Sequence, residues 1–164
     1  MDDQDDRGYS RAPELEDLVA LCKALNDEGV HYVLIGGFAV VLHGFVRATK
    51  DIDLLVDASV ENIQRLKRAM ATLPDNAIAL MADNEVDQYG VVRIADEFVV
   101  DLMKSACGIR YEEALQHVEK HDVHGVLIPI ASKQLLIRTK DTVRPSDAVD
   151  VRFLRLRISE EDRS

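Results

Sequence analysis

The chain has 164 residues, of which 47% are hydrophobic and 30% charged, and its formal net charge is −10. That length suffices for one domain with a buried core, and no apolar run reaches the roughly 18 residues that cross a bilayer. An acidic body argues against broad, non-specific nucleic-acid binding, which depends on a surplus of lysine and arginine.

The opening MDDQDDRGYSRAP has no apolar stretch of the signal-peptide kind, so a cytoplasmic location is expected. Cys22 and Cys107 lack metal-ligand spacing and read as reduced thiols. Half of the net charge lies in residues 1–17, where seven acids face only Arg7 and Arg11. Residues 1–12 read as an acidic solvated tail, 13–158 as a single domain, and 159–164 as a flexible C-terminus.

In chain order, Leu15, Leu18, Val19, Cys22 and Leu25 recur at helical spacing after Pro13, and Gly29 stops that helix. HYVLI (31–35) reads as a strand, Gly36-Gly37 as a turn, and FAVVLHG (38–44) as a short buried helix. A basic loop, FVRATK (45–50), leads into the strand DIDLLVD (51–57). Ser59 then caps an amphipathic helix that runs to about Leu73, before Pro74.

Residues 77–81 suggest a short helix followed by loop. YGVVRIADEFVVDLM (89–103) suggests a hairpin turning near Asp96-Glu97. Residues 111–118 read as helix, and 118–131 as a second hairpin turning at His124-Gly125. Ser132 caps a helix to about Lys140, and a last helix starts near Pro145. LRLRIS alternates with period two, which leaves the end of that helix open. The class is α/β with a mixed sheet.

The chemistry concentrates in IGGFAVVLHGFVRATKDIDLLVD, residues 35–57. Side chains two apart on a strand share a face, so Asp51 and Asp53 hold two carboxylates side by side. Adjacent anions raise each other's pKa unless a cation intervenes, and Mg²⁺ is the simplest one for carboxylate oxygens. Gly36-Gly37, between a strand end and a helix start, offers outward backbone N–H groups that can hold phosphate. Asp101, inside the apolar strand EFVVDLM, supplies the third carboxylate that a two-metal site uses. Carboxylates facing a phosphate-holding turn are the apparatus of phosphoryl or nucleotidyl transfer.

The pattern Gly-Gly, thirteen residues, Asp-Ile-Asp and a later strand aspartate resembles the polymerase-β-type nucleotidyltransferase superfamily. The string is similar to its small bacterial members, including the AbiEii-like branch of abortive-infection and toxin–antitoxin modules. IASKQLLIRTKDTVRPSDAVDVRFL (130–154), with Lys140, Arg144, Pro145, Asp147 and Asp150, resembles a segment of the same branch.

The resemblance implies a palm-like α/β fold, a mixed β-sheet flanked by helices. It implies that Asp51, Asp53 and Asp101 ligate two Mg²⁺ ions, with Asp101 also helping to deprotonate the attacking hydroxyl. Gly36 and Gly37 would bind the triphosphate of an NTP, ATP being the expected donor, with Arg47, Thr49, Lys50 and Lys140 also facing phosphate. The acceptor hydroxyl would belong to a protein, a tRNA end or a small molecule such as an aminoglycoside or lincosamide. A cognate partner protein or a homodimer would complete the site, and no membrane is involved. The alternative is a nucleotide-binding or antitoxin-type interaction module without turnover.

Several other features read as structural. Asp147 and Asp150, one turn apart near a helix start, suit pairing with Arg144 or Lys140. His43 suits a packing or hydrogen-bonding role. His117, His121 and His124 straddle a helix end and a strand, which speaks against a shared zinc face. Arg152, Arg155 and Arg157 read as a solvated basic edge, and Tyr89 and Tyr111 do not make an RNA platform.

Overall fold

The computed structural model of the chain describes residues 10–163. Helix α1 (Leu15–Asp27) buries the expected stripe of Leu18, Leu21, Cys22 and Leu25. The Asp17 carboxylate reaches back to accept from the Glu14 N–H at 2.7 Å, which satisfies one of the amides that a helix start leaves free. Strand β1 (Tyr32–Ile35), helix α2 (Gly36–Leu42), strand β2 (Asp51–Val56) and helix α3 (Val60–Met70) follow. Ser59 caps α3 by accepting from the Asn62 N–H.

The second half contains α4 (Glu85–Tyr89) and the hairpin β3 (Val91–Ala95) and β4 (Val99–Met103). A two-residue pair, β5 (Ser105–Ala106) and β6 (Ile109–Arg110), precedes α5 (Tyr111–Ala114). The hairpin β7 (Val118–Val123) and β8 (Val126–Ala131) then leads to α6 (Lys133–Thr139) and α7 (Pro145–Asp162). No helix among the described residues is long and apolar enough to cross a membrane.

Six strands form one mixed sheet in the order β3-β4-β2-β1-β8-β7. The β2–β4 and β1–β8 pairs are parallel and the others antiparallel. The fold is therefore the expected mixed α/β sheet flanked by helices. Strand β1 is buried along its whole length, as a central strand covered on both faces must be. Helix α1 packs on α3 and β8, whereas α2 packs on β1, β2 and α6.

Five local features differ from the sequence reading. Helix α2 begins at Gly36 itself, so the glycine pair forms its first turn rather than a turn ahead of it. Helix α3 ends at Met70, before Leu73, and α4 occupies part of the stretch read as loop. Cys107 (φ 48°) and Gly108 (φ 81°) turn the chain between β5 and β6, a pair that two-residue strands do not announce in sequence. Helix α7 continues to Asp162 through the alternating LRLRIS and the stretch 159–162. Its last turn is held by the Lys133–Glu161 ion pair at 2.8 Å. Residues 1–9 of the acidic segment lie outside the described residues. Ser10 and Arg11 bond to the β3–β4 turn at Asp96 and Glu97.

That turn has a second anchor. The Asp96 carboxylate is buried and accepts from three backbone N–H groups, those of Asp75 (2.9 Å), Ala77 (2.8 Å) and Glu97 (2.7 Å). Truncating it strands those donors, and hydrogen bonds to a charged acceptor are each worth about 1.5–3 kcal/mol. We predict that Asp96→Ala lowers unfolding free energy by about 3 kcal/mol in urea titrations, because the turn loses its tie to residues 75–77. A loss below about 1 kcal/mol would show that the turn holds without this carboxylate.

Candidate active site

Asp53 on β2 pairs with Ile35 on one side and with Asp101 of β4 on the other, and Asp101 pairs in turn with Arg93 of β3. Paired residues on neighbouring strands share a face, so this row sets Asp53, Asp101 and Arg93 together, and Asp51 joins them two residues away. Ligand oxygens of Asp51, Asp53 and Asp101 all lie within 4.8 Å of one another. The opposite face of β2 and β4 carries Ile52, Leu54, Val100 and Leu102, all fully buried. Apolar packing thus fixes which way the carboxylates point.

The glycine pair abuts this row. Gly36 has φ +75°, and a Cβ there would collide with the Asp53 carboxylate, lying 2.7 Å from its Cγ. Both the backbone conformation and the space call for glycine. At Gly37 a Cβ would press on Thr49 Oγ1 (2.6 Å) and Arg47 Nη2 (3.1 Å). A cleft of about 440 Å³ opens over Gly36, Gly37, Thr49, Lys50, Asp51 and Asp53, with Lys140, Arg144 and Asp147 on its far wall. That volume is in the range of small-ligand sites.

The aminoglycoside-2''-adenylyltransferase family matches residues 17–135, most of the chain and all of the aspartate row. The chain belongs to this family. A protein of Thermotoga maritima described as a nucleotidyltransferase shares the fold at 17% identity and a TM-score of 0.55, covering 89% of this chain and 92% of its own. The lincomycin-bound lincosamide antibiotic adenylyltransferase LnuA does so at 17% identity and TM-score 0.55, covering 88% of this chain and 98% of its own. The comparison with curated proteins returned no match. The family places the chain among the nucleotidyltransferase enzymes. The match is to the aminoglycoside adenylyltransferases, not to the AbiEii-like branch expected from residues 36–57 and 130–154.

The adenylyltransferase match ends before Lys140 and α7, yet these residues build the basic wall of the cleft. Asp150, buried, accepts from Arg47 Nε (2.9 Å) and Nη2 (2.8 Å) and stands 3.0 Å from Lys140 Nζ. Asp147, also buried, accepts from Arg144 Nε at 2.8 Å and from Thr142 Oγ1, and it contacts Lys140 at 3.4 Å. Lys140 is itself buried and holds two carboxylates of α7 rather than standing free. Arg47 is likewise engaged by Asp150, while Thr49 Oγ1 donates to the Asp51 carbonyl at 3.2 Å. Lys50 is exposed at the mouth.

Arg93 is the residue that sequence reasoning missed. Its Nε and Nη2 reach Asp101 at 2.9 and 3.0 Å, and Nη2 reaches Asp51 at 3.2 Å. The signal was the hairpin register: with Asp96, Glu97 and Phe98 together as the loop, Ala95 pairs with Val99 and Arg93 with Asp101, whereas a two-residue turn at Asp96-Glu97 would set Arg93 opposite Val100. With its side chain 62% exposed, this guanidinium is an open cation across the site, not a buried structural pair.

Among the histidines singled out in the sequence, His121 faces His43 edge-on, with centroids 5.4 Å apart. His43 is buried and Nε2 lies 2.9 Å from the Ala131 carbonyl oxygen. Burial holds its imidazole below the ordinary range. Arg152 and Arg155 are exposed on α7, in line with a solvated edge.

Charge crowding shows in the carboxyl pKa values. Burial, then the charges of Asp51 and Asp101, push Asp53 up to about 7, with Lys140 opposing. Burial and Asp101 also raise Asp51, against the pull of Arg93. Since the folded-state value of Asp53 exceeds its ordinary 3.8, its contribution to stability is full below about pH 4 and is lost as pH rises through about 7. We predict that Asp53→Asn removes this penalty: in excess chelator at pH 8 the variant melts several degrees, on the order of 3–6 °C, above the wild type, and the two converge near pH 4. Equal melting at pH 8 would mean that the carboxylates do not strain the metal-free fold.

Proposed function

We propose that the cleft catalyses Mg²⁺-dependent transfer of a nucleoside monophosphate, from ATP, to a hydroxyl of a small molecule, with an aminoglycoside as the first candidate. The observation that carries this reading is the convergence of Asp51, Asp53 and Asp101 beside a glycine pair whose Cβ positions are filled by Asp53 and Thr49. The donor set is all carboxylate oxygen, which suits a hard divalent ion, and three acids against one arginine leave room for added positive charge. Bound there, two ions would neutralise phosphate charge and make the attacked phosphorus more electrophilic. Asp51, Asp53 and Asp101 would hold them, in competition with Arg93 for the same oxygens.

The remaining work falls to the protein. Gly36 and Gly37 let the triphosphate approach the backbone, while Lys50 and Arg144 at the cleft offer positive charge to it. Lys140 and Arg47 act one step back, as partners of the α7 carboxylates that shape the basic wall. The acceptor oxygen attacks the α-phosphorus and forms the new P–O bond; the bond to the bridging oxygen breaks and pyrophosphate leaves. The hydroxyl proton passes to the Asp101 carboxylate. A net charge of −10 draws a polycationic acceptor towards the protein.

The acidic surface also suits a basic protein partner, as in an antitoxin-type module. Such a module needs no carboxylate triad, so the convergence of all three acids favours turnover. Incubation with α-labelled ATP, Mg²⁺ and panels of aminoglycosides and lincosamides tests the proposal. We predict labelled acceptor plus pyrophosphate, lost on chelation and reduced by about 10³-fold or more in Asp51→Asn and Asp101→Asn. Labelling that persists in either variant would remove the carboxylates from the mechanism.

A further inference from the structure

A second cluster of ligand-type side chains lies at the other end of α2, away from the glycine pair. His43 caps that helix, and its Nε2 faces the Ala131 carbonyl oxygen at 2.9 Å. A carbonyl only accepts, so Nε2 carries the hydrogen and Nδ1 keeps a free electron pair. Glu119 and His121 stand two apart on β7, the edge strand of the sheet, and so project from one face of it. Glu119 Oε1 and His121 Nε2 are 3.0 Å apart. One ligand atom from each of His43, Glu119 and His121 lies within 4.8 Å of those of the other two.

We propose that His43, Glu119 and His121 bind a divalent transition-metal ion of the zinc class, at a site separate from the aspartate cleft. Two imidazoles and a carboxylate suit such an ion, whereas Mg²⁺ prefers oxygen ligands alone. Ligands bonded at about 2.1 Å stand about 3.0–3.4 Å apart around one ion, for angles from a right angle to tetrahedral. The Glu119–His121 pair already has that spacing. The ion takes the place of the hydrogen shared between them, and the His121 proton moves to Nδ1. The Ala131 carbonyl acts on His43 as outer-shell acceptors do at metal centres, by fixing the ring and leaving one nitrogen free. Water completes the coordination.

Lys133 and Glu161 both act on His43 and pair with each other at 2.8 Å, and the Arg157 guanidinium stands beside Gly44, the next residue, with Nη2 3.2 Å from where a Cβ would lie. Spacing along the chain concealed the site, because His43 is far upstream of His121. Occupancy would tie the end of α2, whose first turn is the glycine pair, to the β7–β8 hairpin. Binding is therefore expected to raise the melting temperature.

The test uses the full chain, stripped with chelator and then held in excess Mg²⁺ to fill the aspartate cleft, and titrated with Zn²⁺ and with Co²⁺. The expected result is one equivalent of Zn²⁺ per chain, a Co²⁺ visible spectrum that Zn²⁺ displaces, and a higher melting temperature. Substitution of buried His43 risks the fold, so His121→Ala and Glu119→Gln, both on the sheet edge, carry the comparison. Each weakens Zn²⁺ binding by about tenfold or more, and Asp51→Asn leaves it unchanged. Zn²⁺ binding as tight as wild type in either edge variant, its loss in Asp51→Asn, or no binding to the wild type overturns the proposal.

Discussion

Asp53 and Asp101 are direct partners in the parallel ladder between β2 and β4, and Asp51 shares their face two residues earlier. This register forces three carboxylates into mutual contact, with ligand oxygens within 4.8 Å. Repulsion alone would push the strands out of register. It is opposed by the other face, where Ile52, Leu54, Val100 and Leu102 are fully buried; a one-residue slip would turn these out and the acids in. The hydrophobic core therefore holds the carboxylates together, and Arg93 offsets part of their charge.

Helix α7 extends the same logic. Asp147 and Asp150 are buried charges that would be costly alone. Their partners, Lys140, Arg47 and Arg144, come from the α6 end, the loop before β2 and the start of α7, so one network joins three elements around the cleft. Breaking a buried pair by removing one partner typically costs about 3–5 kcal/mol, which makes the basic wall dependent on the helix. The family match stops at residue 135, and residues C-terminal to that point supply most of the wall.

Much of this could be read from the chain because the signals were local. Periodicity and caps marked α1, α3, α6 and both hairpins, and the alternation around Asp51 and Asp53 set their shared face. The placement of Asp101 opposite Asp53 needed only the assumption that two apolar strands adjoin. What escaped were properties of long-range pairing. Arg93 entered the site through hairpin register, and Arg47 joined Asp150 across the fold, whereas the pairing of Asp147 and Asp150 with Lys140 and Arg144 could be read from their spacing. The alternation of LRLRIS imitated a strand inside α7, since a helix that packs on one side through α6 leaves Leu156 exposed. His43 and His121 meet only because β7 and β8 fold beside the end of α2.

The claim beneath this account is that crowding of like charges, relieved by divalent cations, makes the aspartate row a reaction centre. Side-chain ¹³C NMR titration of the aspartates tests it most directly, with and without Mg²⁺ and a non-hydrolysable ATP analogue. The account predicts that Asp53 in the metal-free protein titrates near 7 and that the added ions lower this value by more than about one unit. An Asp53 that titrates at its ordinary value, indifferent to Mg²⁺ and nucleotide, would contradict it.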